Sequence, residues 1–164
     1  MTDDLRAPTG TLDGGPIPVL FVCTHNSARS QMAEVMLRRL GGDAFEVHSA
    51  GTEVSRVNPL TLRVLSEAGF DTSGLRSKSV TEFVGQRFDY VITVCDRARE
   101  SCPVFPGSGE SLHWGHDDPS EAEGSEEERA GAFRHVFALI SERIGLFVPI
   151  ALKAHGLSLA AVTG

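Results

Sequence analysis

Apolar and polar positions divide the chain into short apolar runs alternating with amphipathic stretches. Ile17 to Val22 is rich in Val, Leu, Ile and Phe and has the length of a buried strand. Ala28, Met32, Val35, Met36 and Leu40 then recur close to helical spacing, which predicts one inward face, and Gly41-Gly42 stops that helix. Phe45 to Ser49 alternates as a second strand. Asn58-Pro59 reads as a cap and a first helical residue, ahead of an inner face of Leu62, Leu65 and Ala68 that Gly69 closes. Residues 71–88 keep no clean period and predict loop with a short helix near Val80 to Val84. Tyr90 to Val94 is a third strand, apolar throughout as in a sheet covered on both faces, and Leu112 to Trp114 is a short fourth. From Ser125 onward Phe133, Val136, Phe137, Ile140, Ile144 and Phe147 hold helical spacing. Glu126, Glu127 and Glu128 suit its N-terminus, and Pro149 predicts its end.

Strands alternating with helices predict a single α/β domain, a four-stranded parallel sheet flanked by helices on both faces. The expected organisation is a flexible tail over residues 1–16, the domain over 17–148 and a C-terminal tail of unassigned role over 149–164. In such sheets the ligand sits beyond the carboxyl ends of the strands. Cys23 follows the first strand, Cys95 the third, and His113 to Asp118 the fourth, so all three groups fall on one edge.

Composition narrows the class. The 164 residues, 41% hydrophobic and 23% charged, suit one soluble domain, and a net charge of −7 disfavours nucleic acid and anionic lipid as partners. No apolar run approaches transmembrane length on this reading, and Met1-Thr2-Asp3-Asp4 is unlike a signal peptide, so a cytoplasmic monomer without membrane contact is expected. Three cysteines form no even disulfide framework, and in a reducing compartment they suggest catalytic or redox thiols.

The chemistry concentrates in Cys23-Thr24-His25-Asn26-Ser27-Ala28-Arg29-Ser30, placed where a strand turns into a helix. Such a junction aims backbone N–H groups and the positive end of a helix dipole at one spot, which makes an anion site. The same field favours a thiolate at Cys23, Arg29 adds a planar fork of donors for a tetrahedral oxyanion, and Asn26 and Ser30 can hold the loop in shape. A buried structural cysteine beside a surface arginine is the bland alternative, and the strand and helix on either side weigh against it.

Val19 to Glu34 resembles the phosphate loop of low-molecular-weight protein tyrosine phosphatases, and more closely that of their relatives, the thioredoxin-coupled arsenate reductases. The resemblance extends over Val19 to Phe147. It implies that Thr24, His25, Asn26, Ser27, Ala28, Arg29 and Ser30 bind arsenate, with phosphate or sulfate as competing oxyanions. It implies arsenite as product and reduced thioredoxin as electron donor, fed by NADPH through thioredoxin reductase; for this chain no bound cofactor and no metal ligands are expected. Some members hold a potassium ion through residues matching Asn26, Glu34 and Ser49, but Lys78 falls where an acidic ligand would stand.

Cys95 and Cys102 stand seven residues apart, which in a helix is about 10 Å along the axis. A disulfide needs α-carbons within about 7 Å, so pairing requires that segment to unwind or to be a loop, and Pro103 and Pro106-Gly107 favour a deformable stretch. A relay follows: Cys23 attacks the oxyanion, Cys95 attacks Cys23, and Cys102 attacks Cys95. The arsenate reductases carry such a triple, whereas phosphatases of that fold need neither Cys95 nor Cys102. A zinc site of Cys95, Cys102, His113 and His116 is disfavoured, because Cys-x6-Cys lies outside the usual ligand spacing.

An oxygen displaced from arsenic or phosphorus needs a proton. The family places the acid immediately before a proline, which makes it Asp118, with Asp117 as the alternative. The phosphatases usually follow that pair with an aromatic residue; Ser120 stands there instead, which favours a small inorganic substrate. Two other functions compete with arsenate reduction: hydrolysis of phosphate esters through a Cys23 phosphocysteine, and a non-enzymatic thiol or arsenic sensor, which would need neither loop nor acid.

Overall fold

A computed structural model describes residues 15–159. The sheet has four parallel strands in the order β2-β1-β3-β4: β1 Ile17–Cys23, β2 Phe45–Gly51, β3 Tyr90–Thr93 and β4 Glu110–His113. Among the described residues the α-helices are α1 Arg29–Gly41, α2 Pro59–Glu67, α3 Asp96–Ser101 and α4 Glu126–Ala154. Helix α1 packs on β2 and α4, while α3 packs on β1 and β3. The two middle strands are buried almost throughout, as an apolar run in a parallel sheet requires. The expected N-terminal tail lies outside the described residues except for its last two positions.

Local chemistry explains most element ends. The Asn58 side chain accepts from Leu60 N–H at 2.8 Å with Pro59 at the first helical position. Ser125 and Glu128 bond each other's backbone N–H groups, a reciprocal cap that starts α4. Gly42, at φ 53°, ends α1. The inner faces depart from expectation at particular positions. In α1 and its cap residue, Ala28, Met32 and Val35 are buried and Met36 packs on the core as expected, but Leu40 is 38% exposed and Leu37 takes the inward place at the end of the helix. In α2 the buried side chains are Leu60, Thr61, Val64 and Leu65, and Ala68 faces water.

Pro149 does not end the last helix. Helix α4 continues to Ala154, and the segment read as a tail contributes Ala151, Leu152 and His155 to the interior. Proline removes one backbone bond, at a cost of about 3 kcal/mol in a helix interior. Burial of Phe147, Val148, Ala151 and Leu152 offsets this, since each large apolar side chain contributes about 1.5–3 kcal/mol. His155 adds an anchor, with Nε2 3.1 Å from Asp89 Oδ2 and Nδ1 2.9 Å from the Ala151 carbonyl. The same continuation corrects the view that no apolar stretch is long enough to span a membrane: α4 is, by length and composition. Its Phe133, Val136, Ile140, Ile144 and Phe147 are core residues, and Phe147 meets Phe45, Tyr90 and Trp114.

Candidate active site

The loop between β1 and α1 lies at the carboxyl edge of the sheet, and its carbonyls are taken up from outside it. Those of Cys23, Thr24, His25 and Ser27 accept from the N–H groups of Thr52, Glu53, Ser55 and Asn58. The Asn26 carbonyl accepts from Gln31 Nε2 and Ser77 Oγ, and that of Ala28 from Met32 N–H. Because C=O and N–H of a trans peptide unit point opposite ways, the amides of the loop turn inward. Asn26 N–H donates to Cys23 Sγ at 3.2 Å, and Ser30 Oγ lies 2.7 Å from that sulfur. Gly51 admits this packing: a Cβ there would stand 2.7 Å from the Thr24 carbonyl oxygen and 2.8 Å from Asn26 N.

Asn26 holds the turn. Its φ is 54°, a left-handed conformation that asparagine tolerates better than most side chains. Its Nδ2 donates to Ser30 Oγ (2.7 Å) and Ser49 Oγ (2.9 Å), while Oδ1 accepts from Gln31 Nε2 (2.9 Å) and Lys78 N–H (2.8 Å). Ser49 in turn donates to Glu34, whose carboxylate is buried. Lys78 Nζ lies 3.4 Å from both Glu34 Oε1 and Ser49 Oγ, and Arg38 lies 2.6 Å from Glu34 Oε2. The pair of cationic groups compensates the buried carboxylate. The ammonium stands among the oxygens of Glu34 and Ser49, so these residues do not fit an additional monovalent cation.

Cys23 is 2% exposed, and the residues that follow it, Thr24 and His25, open onto a cleft of about 290 Å³. Thr24, His25, Arg29, Cys95, His116 and Asp118 are among its lining residues, and none of the described lining residues is Phe, Tyr or Trp. Arg29, the first residue of α1, is held by the His116 carbonyl at 2.9 Å and lies 3.6 Å from Asp118 Oδ2. Asp118 Oδ1 accepts from the N–H and hydroxyl of Ser120 at 2.9 and 2.7 Å, which leaves Oδ2 toward the arginine. Burial, and then the charges of Arg143 and Arg29, push the His116 imidazole below its ordinary range, so it is neutral at pH 7. His25 bonds the Glu53 carbonyl through Nδ1 at 2.9 Å, so its ring is used structurally.

The structure brings Cys95 to the same place. It is buried, its sulfur lies 3.3 Å from Thr24 Oγ1, and it caps α3 by accepting from Ala98 N–H at 3.4 Å. Cys102 follows the other end of α3 and is partly buried, which raises its thiol pKa. All three thiols are free. Helix α3 thus separates the second and third cysteines, as their spacing suggested for a wound segment. His113 is occupied by Asp96 and Thr93, and among the described residues no cluster of three His, Cys, Asp or Glu is placed to hold a metal ion. Gln31, Ser77, Thr93, Asp96 and the His116 carbonyl are supports that pattern reading did not single out. Only Gln31, polar and next to Ser30 at the start of a buried helix, carried a signal in the sequence.

The low molecular weight phosphotyrosine protein phosphatase family pattern matches residues 18–156. The arsenate reductase of Halalkalibacterium halodurans is 42% identical over 129 residues, 79% of this chain and 93% of that protein. The thioredoxin-dependent arsenate reductase of Corynebacterium glutamicum superposes with a TM-score of 0.57 at 33% identity, covering 88% of this chain and 71% of that one. The tyrosine phosphatase Wzb of Escherichia coli K30, solved with sulphate, shares the fold at a TM-score of 0.66 and 22% identity over 80% of this chain and 95% of its own. The chain belongs to the low molecular weight phosphotyrosine protein phosphatase family, and it is 42% identical to an arsenate reductase.

Proposed function

We propose that this protein reduces arsenate to arsenite through Cys23, Cys95 and Cys102, with thioredoxin returning the disulfide to thiols. The observation that carries the reading is the placement of Cys95 beside the loop, one short helix away from Cys102. Ester hydrolysis uses neither thiol. The arsenate reductases among its relatives support the substrate, and the thioredoxin-dependent one supports the donor.

The Cys23 thiolate attacks arsenic and displaces one oxygen, which leaves as water with a proton from Asp118. Inward amides and Arg29 hold the remaining oxygens as charge shifts onto them. Cys95 thiolate then attacks Cys23 sulfur: an S–S bond forms, the S–As pair stays on arsenic, and arsenic(V) leaves as arsenite, arsenic(III). Cys102 thiolate attacks Cys95 sulfur, releases Cys23 as thiolate and leaves the Cys95–Cys102 disulfide for a dithiol protein, itself reduced by NADPH through its reductase. The test is arsenate-dependent NADPH oxidation with thioredoxin and thioredoxin reductase, run beside hydrolysis of a phosphate ester. Ester hydrolysis without reductase turnover would give the phosphatase reading, which the shared oxyanion loop otherwise makes a side activity.

Two further outcomes are expected. Burial holds the Cys102 thiol above its ordinary range, so little of it is thiolate at neutral pH. The resolving step therefore speeds up with pH, by about tenfold per unit until the thiol is ionised. Rapid-quench trapping of the Cys23–Cys95 species across pH 6.5–8.5 reads this directly, and a flat profile excludes Cys102 as the attacking group. We also propose that the Lys78 ammonium serves in place of a potassium ion under the loop. Turnover at constant ionic strength is then the same in potassium and sodium salts, and a potassium-dependent kcat/KM contradicts it.

A further inference from the structure

Besides its packing on β1 and β3, three polar contacts among the described residues tie α3 and its cap residue Cys95 to their surroundings. Thr24 Oγ1 lies 3.3 Å from Cys95 Sγ, Arg97 donates to Glu53 Oε2 at 3.0 Å, and His113 Nε2 lies 2.7 Å from Asp96 Oδ1. The last differs from the others in its anchorage. His113 ends β4, and its Nδ1 lies 2.8 Å from the hydroxyl of Thr93, which ends β3. One imidazole therefore joins two strand ends to the first turn of α3. Its side chain is 20% exposed, so the strand side of the link is fixed, while Asp96 is 77% exposed and free to leave with the helix.

A six-residue helix cannot sustain itself, because so few internal bonds do not repay the ordering of its first turn. Ala98 is its one buried residue, so these outside contacts decide whether α3 stays wound. Winding and disulfide formation exclude each other here. The helical path from Cys95 to Cys102 is about 10 Å long, whereas a disulfide holds α-carbons within about 7 Å.

Resting on the proposed relay, we infer that the His113–Asp96 pair is a latch that keeps α3 wound and so sets how readily Cys95 and Cys102 join. His113 is a positioning residue in this account, without contact to arsenic. When Cys102 thiolate attacks the Cys95 sulfur of a Cys23–Cys95 disulfide, the new S–S bond forms, the old one breaks and Cys23 departs as thiolate. The latch opens in that step and closes again when a dithiol reduces the Cys95–Cys102 bond. Whatever the latch adds to the wound dithiol state opposes the disulfide by the same factor.

The test uses the full chain carrying Cys23→Ser, in which Cys95 can pair with Cys102 alone. It is equilibrated in graded mixtures of reduced and oxidised dithiothreitol, the latter being the oxidant, and the paired fraction is read by alkylation and mass spectrometry. His113→Ala and Asp96→Ala are each expected to favour the disulfide about fivefold, in line with a half-exposed ion pair. That is a potential about 20 mV more negative, at 29.6 mV per tenfold. Combining the two should shift the equilibrium no further than either alone, because one contact is lost once. Unchanged single variants, or shifts that simply add, overturn the latch. If the parent forms no Cys95–Cys102 disulfide in any mixture, the relay falls and the latch with it; a disulfide that forms but ignores both variants removes the latch alone. Asp96→Ala alters only an exposed side chain and keeps the test available should His113→Ala disturb the sheet.

Discussion

Cys23→Ser is expected to abolish arsenate reduction and any ester hydrolysis together, by at least about 10⁴-fold in kcat, the scale seen when a nucleophile is removed. The sulfur has Asn26 N–H at 3.2 Å and Ser30 Oγ at 2.7 Å. A serine hydroxyl keeps its proton near neutral pH and is a far weaker nucleophile. It also has no route to a disulfide, so even an oxygen adduct with arsenic could not hand on two electrons. The loop's own hydrogen bonds run through backbone, Asn26 and Ser49, so the variant should still bind phosphate or sulfate. Loss of arsenite production with undiminished oxyanion binding separates loss of chemistry from loss of the site, and kinetic assay beside anion titration measures both.

Cys102→Ala has a different signature. One arsenite per enzyme is expected, followed by arrest with Cys23 and Cys95 joined. The first two steps need only the buried pair at the sheet edge, and Cys102 lies outside the cleft at the far end of α3. Without it the Cys23–Cys95 bond is buried, with Cys23 2% exposed, and a protein dithiol cannot reach it. Steady-state turnover with thioredoxin should fall at least about a hundredfold, the range for removing a positioned reacting group. Normal turnover by this variant would place the outward step elsewhere.

Much of this was visible locally in the sequence. The strand before Cys23, the helix after it, the Asn58-Pro59 start and the Ser125 start each follow from contiguous residues, and the structure forms all of them. What stayed hidden depends on distant partners. Lys78 N–H meets Asn26 from 52 residues away, and Thr93 meets His113 only because β3 and β4 pair in that register. The end of α1 departs for the same reason: Met32 and Val35 are buried as their spacing predicts, but the helix packs against both β2 and α4, so Leu37 is chosen over Leu40 by two neighbours that periodicity does not contain. Pro149 reads as a stop locally, and burial around it together with the His155–Asp89 contact overrides that preference.

The relay is tested most directly by peptide mapping after one turnover. Reduced wild-type protein receives a single equivalent of arsenate without any dithiol, and free thiols are alkylated before digestion. The account predicts one arsenite per chain, Cys23 alkylated, and Cys95 joined to Cys102. Three alkylated cysteines with arsenate unchanged, or arsenite formed while Cys95 and Cys102 both remain free, would contradict it.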